Sequence, residues 1–192
     1  MNLLRVLVLY AHPDHDGSRT NRVLRVAIED MPGVTVHDLY ERYPDLFIDA
    51  RFEQSLLLEH DVLVFQHPML WYSAPPIVKE WQYSVLENGW AYGKGGDKLR
   101  GKHFMQAIST GGHENSYQRG GKANFTIPEL LRPFEQMAHY CGMVYLPPFV
   151  THDARDVDDS VIAARAADYR ALMDAMHRGE VPAPFHTIPG KS

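Results

Sequence analysis

Short apolar runs alternate along the chain with longer segments whose apolar residues recur at helical spacing. The first run shows no alternation between a buried face and a solvent-exposed face. Such a run is typical of a strand that is buried on both faces of a parallel sheet. Five strands are predicted in this way: Leu3–Tyr10, Val34–Leu39, Asp61–Gln66, Lys102–Ser109 and Gly142–Val150.

A helix is predicted after each strand, because capping residues and prolines mark where helices begin. Ser18 is predicted to cap the first helix and Asp49 the second. The predicted helices reach from Ser18 to Asp30, from Ala50 to Glu59, from Pro75 to Leu86, from Pro128 to Cys141 and from Val157 to Met176. Two prolines in the fifth predicted strand place it at a sheet edge or shorten it.

Five repeats of strand and helix predict an α/β domain with a doubly wound parallel sheet and helices on both faces. Five strands favour the flavodoxin-like order 2-1-3-4-5. We expect this domain to span residues 1–178. We expect the Pro-containing tail, residues 179–192, to be mobile or to lie on a partner.

Composition narrows the function classes. The chain has 192 residues, 45% of them hydrophobic, and a formal net charge of −5, which fits one folded domain and argues against nucleic acid as a partner. Cys141 is the single cysteine, so a reducing compartment, the cytoplasm, is expected. No apolar run has the length of a membrane span. Three Trp, ten Tyr, eight Phe and 11 His make the chain rich in flat side chains.

In a doubly wound sheet, ligands bind beyond the carboxyl ends of the strands, where the strand order reverses. Three loops are predicted to meet there, at residues 11–21, 67–74 and 109–117. The first lacks both the Walker pattern and the dinucleotide glycine pattern. It offers hydroxyl, guanidinium and amide donors for a phosphate, together with a histidine: His12, Ser18, Arg19, Thr20 and Asn21. The alternative is that Ser18 only caps a helix and His12 only ends a strand.

The other two loops offer an apolar wall and a glycine-rich polar edge. Met69, Leu70, Trp71 and Tyr72 can wall a flat ring, or the aromatics can simply cap the core. A ligand can approach the backbone closely at Ser109, Thr110, Gly111 and Gly112, or the glycines are there only because a turn requires them. The Tyr117 hydroxyl can donate to a ligand carbonyl, or the side chain is an exposed loop tyrosine. Phosphate, ring face and pyrimidine edge are the parts of flavin mononucleotide (FMN).

The motifs in these loops have a family resemblance. The chain resembles the flavodoxin-like NAD(P)H:quinone oxidoreductases in several motifs taken together. These are AHP with SRTN, VFQHP with WYS and two prolines, GWAYGKGG, and STGG. The chain is most similar to the branch of ancillary proteins of glutathione-regulated potassium-efflux (Kef) systems. The resemblance runs from about Leu4 to the last helix. It implies that residues 1–178 form a flavin-binding domain, with FMN in the Kef branch and FAD in the mammalian-type branch.

The resemblance also implies roles for the loop residues. His12 and residues 18–21 would hold the phosphate, residues 69–72 would line the isoalloxazine ring, and residues 109–112 would contact its polar edge. Tyr117 would assist hydride transfer in a two-electron ping-pong reduction of quinones by NAD(P)H. The histidine that follows this tyrosine by six residues in mammalian-type enzymes is replaced here by Ala123. The family forms homodimers, and Kef ancillary proteins bind the cytoplasmic face of a membrane channel.

Two other functions are compatible with the sequence. A non-enzymatic regulatory subunit would bind flavin at the same site and signal through a partner channel. A zinc-dependent de-N-acetylase would use AHPDHD, with His12, Asp14 and His15 as ligands. The de-N-acetylase motif has a second aspartate where this chain has His15.

Overall fold

The sheet has the predicted order and direction. A computed structural model describes residues 3–185 and contains one parallel sheet in the order β2-β1-β3-β4-β5, with β6 also paired to β4. The strands are β1 Val6–Tyr10, β2 Val34–Asp38, β3 Val62–Pro68, β4 His103–Ser109, β5 Val144–Tyr145 and β6 Phe149–Thr151. All five residues of β1 are buried, as expected of a central strand.

The strand predicted over Gly142–Val150 lies at the edge of the sheet, as its two prolines indicated, but it is divided into two short strands. Pro147 and Pro148 lie between β5 and β6. Proline has no backbone N–H to donate to the ladder, so the pairing with β4 stops at Tyr145 and resumes at Phe149.

Helices cover both faces of the sheet. They are α1 Thr20–Val26, α2 Leu39–Arg42, α3 Ala50–Glu59, α4 Pro76–Val85, α5 Ile127–Tyr140 and α6 Asp159–His177, with a 3-10 turn at Glu114–Ser116. One face of the sheet packs in a core with Trp81 and Phe134, and the other packs with Tyr169 and Met173. Among residues 3–185 no helix combines the length and the apolar character that a bilayer crossing requires.

The helix ends differ in part from prediction. Asp49 caps α3 as predicted, by accepting from the Phe52 N–H. The prediction that Ser18 caps α1 is wrong: Arg19 occupies the cap position with helical dihedrals and makes no capping bond, and α1 ends at Val26. The short helix α2 was not predicted. The Asp38 side chain caps it by accepting hydrogen bonds from the backbone N–H groups of Tyr40 and Glu41.

The first part of the tail lies against the sheet. The Phe185 N–H donates to the Tyr145 carbonyl at 2.8 Å, and the two rings are 6.3 Å apart. Residues 186–192, the second half of the predicted tail, lie outside the described residues.

Candidate functional site

Hydrogen bonds join the three predicted loops at the carboxyl ends of β1, β3 and β4. The Ala11 N–H donates to the Gln66 carbonyl at 2.9 Å, and the Met69 N–H donates to the Ser109 carbonyl at 2.7 Å. The Asn21 side-chain amide donates to Ser109 Oγ at 2.7 Å. The structure therefore brings together the loops that the strand order predicted.

Most polar side chains at the start of α1 are occupied by contacts within the protein. The Arg19 guanidinium pairs with Asp159 at 2.7 Å, and the Thr20 hydroxyl donates to the Ala154 carbonyl at 2.9 Å. Asn21 is buried and uses its amide N–H on Ser109. These contacts fix the backbone of this segment, but they leave few of its side chains free to hold a ligand.

Ser18 is the exception in this segment. Its side chain is buried, with 4% exposed, and its hydroxyl oxygen makes no hydrogen bond of acceptable geometry among the described residues. Its interaction with the Tyr10 hydroxyl only partly offsets the rise in the pKa of Tyr10 that burial causes. The Asn21 carbonyl oxygen Oδ1 is unpartnered and buried as well. Buried polar atoms without partners are costly and uncommon in folded proteins. A ligand that accepts from Ser18 would remove this cost.

His12 and its neighbours are partly occupied. His12 Nδ1 accepts from the Asp14 backbone N–H at 3.2 Å, and burial lowers the pKa of His12 below its ordinary value. His15 Nδ1 lies 3.1 Å from the Tyr10 hydroxyl, and burial raises the pKa of Tyr10 to about 12. Within residues 3–185 no three His, Cys, Asp or Glu side chains form a group that could hold a metal ion. The zinc interpretation of His12, Asp14 and His15 therefore gains no geometric support.

The loop after β3 presents its aromatics to solvent on a strained turn. Leu70 and Ser73 exchange two backbone hydrogen bonds at 3.0 Å, and the two residues between them have positive φ, 49° at Trp71 and 62° at Tyr72. Non-glycine residues in this region cost about 1–3 kcal/mol each. Trp71 is 94% exposed and Tyr72 48% exposed, so Trp71 does not cap the core. Met69 packs against the core beneath them.

The glycine-rich loop after β4 forms an open edge. A Cβ at Gly111 would meet no atom within 4 Å, so this position leaves room for a ligand to approach the backbone. A Cβ at Gly112 would lie 3.4 Å from the Tyr117 hydroxyl, so that hydroxyl lies on the side of Gly112 where a side chain would project. Tyr117 packs partly against the core and is not a freely exposed loop side chain.

The sequence analysis missed His152, which lies next to Tyr117. The two rings are 5.6 Å apart, and His152 Nδ1 lies 3.0 Å from the Thr110 hydroxyl oxygen. His152 is the first residue after β6, and His12 is the second residue after β1. The rule that ligands bind beyond strand carboxyl ends could have identified it, but the fifth strand was predicted to end at Val150. The loop from Ala154 to Asp159, which anchors the start of α1, was missed for the same reason.

Comparison with known proteins finds relatives over most of the chain. The model of a family described as having a flavodoxin-like fold matches residues 4–173. The chain is 48% identical to the uncharacterized NAD(P)H oxidoreductase YdeQ of Bacillus subtilis, over 88% of this chain and 86% of that protein. It is 45% identical to the glutathione-regulated potassium-efflux system ancillary protein KefG of Yersinia enterocolitica, over 86% of this chain and 90% of that protein.

Solved structures are similar as well. General stress protein 14 of Treponema denticola, in complex with FMN, is 37% identical, with a TM-score of 0.85 over 90% of this chain and 99% of that one. An NADPH-quinone reductase from P. pentosaceus is 34% identical, with a TM-score of 0.80 over 87% of this chain and 96% of that one.

Proposed function

The chain belongs to the family of flavodoxin-like fold, and from this premise we propose that it is an FMN-dependent NAD(P)H:quinone oxidoreductase. The oxidoreductase and quinone reductase names of relatives at 34–48% identity support the activity. The FMN complex of a relative at 37% identity supports the cofactor, in preference to FAD.

The unpartnered Ser18 hydroxyl is the structural observation that carries the proposal. The hydroxyl is buried on the loop that joins β1 to α1, and a phosphate oxygen there would accept a hydrogen bond from it. His12 and the backbone of residues 18–21 complete the phosphate site. The contacts of Arg19, Thr20 and Asn21 with other loops hold that backbone in place before the ligand binds.

Bound FMN would supply a carrier that accepts two electrons as hydride from NAD(P)H and delivers them to a quinone in a ping-pong cycle. Trp71 and Tyr72, with Met69 and Leu70, provide the apolar wall for flat rings. Ser109, Thr110, Gly111 and Gly112 provide backbone donors and room at the polar edge, where donors stabilise developing negative charge. The Tyr117 hydroxyl donates a hydrogen bond to the quinone oxygen.

The first experiment is a visible spectrum of the purified protein, with FMN titration and NAD(P)H oxidation by a soluble quinone. The proposal requires one tightly bound FMN per chain and turnover that depends on both substrates. Initial rates at several concentrations of each substrate should give the parallel lines of a ping-pong mechanism. A protein that takes up no FMN would contradict the proposal.

A regulatory role is the second candidate, favoured by the KefG relatives at 45% identity. In that role the protein, as a homodimer, would bind the cytoplasmic face of a potassium-efflux membrane protein. Enzyme and regulator need the same flavin site. The two roles are separated by measuring potassium efflux with a variant that binds flavin but has lost turnover. Unchanged stimulation of efflux would mean that flavin binding is sufficient for regulation, and lost stimulation would mean that turnover is required.

A further inference from the structure

Four residues at the glycine-rich edge form a closed ring of contacts. The Tyr117 ring packs on the His152 ring at 5.6 Å with 35° between their planes. His152 Nδ1 lies 3.0 Å from Thr110 Oγ1, and Thr110 Oγ1 donates to the Gly112 carbonyl at 3.0 Å. The Tyr117 hydroxyl in turn lies 3.4 Å from the position that a Cβ on Gly112 would take. His152 therefore links Tyr117 to Gly112 by a second route, through its ring contact with Tyr117 and through Thr110.

One tautomer of His152 satisfies both contacts of the Thr110 hydroxyl at once. A threonine hydroxyl has one proton, and the Gly112 carbonyl has none, so that proton is directed at Gly112. Thr110 Oγ1 then accepts a hydrogen bond from His152 Nδ1–H. A neutral His152 consequently has its proton on Nδ1 and its lone pair on Nε2.

The surroundings of His152 favour the neutral ring. Burial is the largest effect and lowers the pKa of His152 below its ordinary value. Charged groups face it from three elements and act in opposite directions: Glu114 and Asp153 favour the cation, whereas His113 and Arg165 disfavour it. The neutral His152 ring therefore keeps its Nδ1–H donor and places no positive charge next to Tyr117.

We propose that His152 is a positioning residue that holds the Tyr117 hydroxyl against the Gly112 backbone, through its ring contact with Tyr117 and its hydrogen bond to Thr110. The inference rests on the proposed function, because Tyr117 is the group that meets the quinone. A misplacement of about 1 Å in such a group can lower turnover about 100-fold. Loss of His152 therefore lowers kcat and leaves FMN affinity unchanged.

Two substitutions separate the two contacts of His152. His152→Asn keeps an N–H donor at the position of Nδ1 but has no ring. His152→Phe keeps a ring against Tyr117 but has no donor. His60 is the control histidine: it is more deeply buried than the half-buried His152, and it makes two hydrogen bonds, to the Leu56 carbonyl and the Thr35 hydroxyl. It precedes β3 and so lies at the amino ends of the strands, away from the loops at their carboxyl ends. We therefore expect His60→Asn to lower stability without changing kcat.

The first test needs no activity. Nitrogen-15 NMR of the ligand-free protein should show His152 as the Nδ1–H tautomer, and Thr110→Val should turn it into a mixture of tautomers. The Tyr117 ring protons should keep their dispersed shifts in His152→Phe and lose them in His152→Asn. An Nε2–H tautomer in the parent protein, or Tyr117 shifts that ignore both substitutions, would overturn the inference.

The second test is a kinetic cycle with Tyr117→Phe. Each His152 substitution should lower kcat roughly 10-fold or more in the parent protein. In the Tyr117→Phe background, it should change kcat by less than about 2-fold, because residues that act through one another are not additive. Equal losses in both backgrounds would overturn the inference while leaving the quinone reductase intact. A parent protein that binds no FMN would instead contradict the proposed function, and the NMR result would still decide the positioning role.

Discussion

Ser18→Ala is expected to have opposite effects on ligand-free stability and on FMN binding. In the ligand-free protein the Ser18 hydroxyl is buried without a partner. A buried unsatisfied polar group costs about 1–3 kcal/mol, so its removal should leave the free energy of unfolding unchanged or raise it. With FMN bound, the same substitution removes a hydrogen bond to a charged phosphate.

The expected loss in affinity follows from that hydrogen bond. A hydrogen bond to a charged group contributes about 1.5–3 kcal/mol, which corresponds to a roughly 10- to 150-fold rise in the Kd for FMN. Riboflavin has the same ring system but no phosphate, so its Kd should not change. The ratio of the two constants therefore reports on the phosphate site alone.

The assay is flavin fluorescence quenching, with FMN and riboflavin titrated into each variant, together with urea unfolding of the ligand-free proteins. Thr20→Val is the control, because the Thr20 hydroxyl already donates to the Ala154 carbonyl. That substitution should lower the free energy of unfolding by about 1 kcal/mol. Equal losses of FMN and riboflavin affinity in Ser18→Ala, or no loss at all, would refute the reasoning.

Three further predictions concern Tyr117, the proposed catalytic residue, and two buried groups. Tyr117→Phe should lower quinone turnover and leave FMN bound, as measured by stopped-flow and the visible spectrum; unchanged turnover would remove Tyr117 from the mechanism. Glu53 is fully buried and accepts hydrogen bonds from His37, Tyr43 and Trp81 at 2.7 Å each. Glu53→Gln should lower the free energy of unfolding by about 1–3 kcal/mol in urea, because its amide turns an N–H toward a donor. The same substitution should cost less in a Trp81→Phe background, where one of the facing donors is absent. Burial lowers the pKa of His67 to about 4 from its ordinary value of 6.5. The unfolded chain therefore binds the proton first, and His67 accounts for a stability loss of up to ~3 kcal/mol as the pH falls from 6.5 to 4. His67→Gln should flatten this part of the stability–pH curve, and an unchanged curve would contradict the assignment.

The sheet was predictable because its signals are local. The Leu- and Val-rich run before Tyr10 has no polar face, and this alone places β1 in the centre of a parallel sheet. Once the order of the strands is known, the carboxyl ends of β1, β3 and β4 must lie together. The loops at 11–21, 67–74 and 109–117 are joined by hydrogen bonds for this reason.

The details that were missed depend on contacts between distant segments. Serine is a residue type that often caps helices, but α1 begins after Arg19 and not after Ser18. The Arg19 side chain is held by Asp159, which is 140 residues away along the chain. His152 reaches Thr110 across 42 residues, and this pairing exists only because β6 resumes the ladder beside β4 after the two prolines. Local patterns predict which strands pair, but not which side chains their loops bring into contact.

The most direct test of the account is the absorption spectrum of the protein after incubation with excess FMN and removal of free flavin by gel filtration. The account predicts a yellow protein with about one FMN per chain, whose flavin absorbance is bleached by NAD(P)H under anaerobic conditions and restored by one equivalent of quinone. A colourless protein, or bound FMN that NAD(P)H cannot bleach, would contradict the assignment of this chain as a quinone reductase.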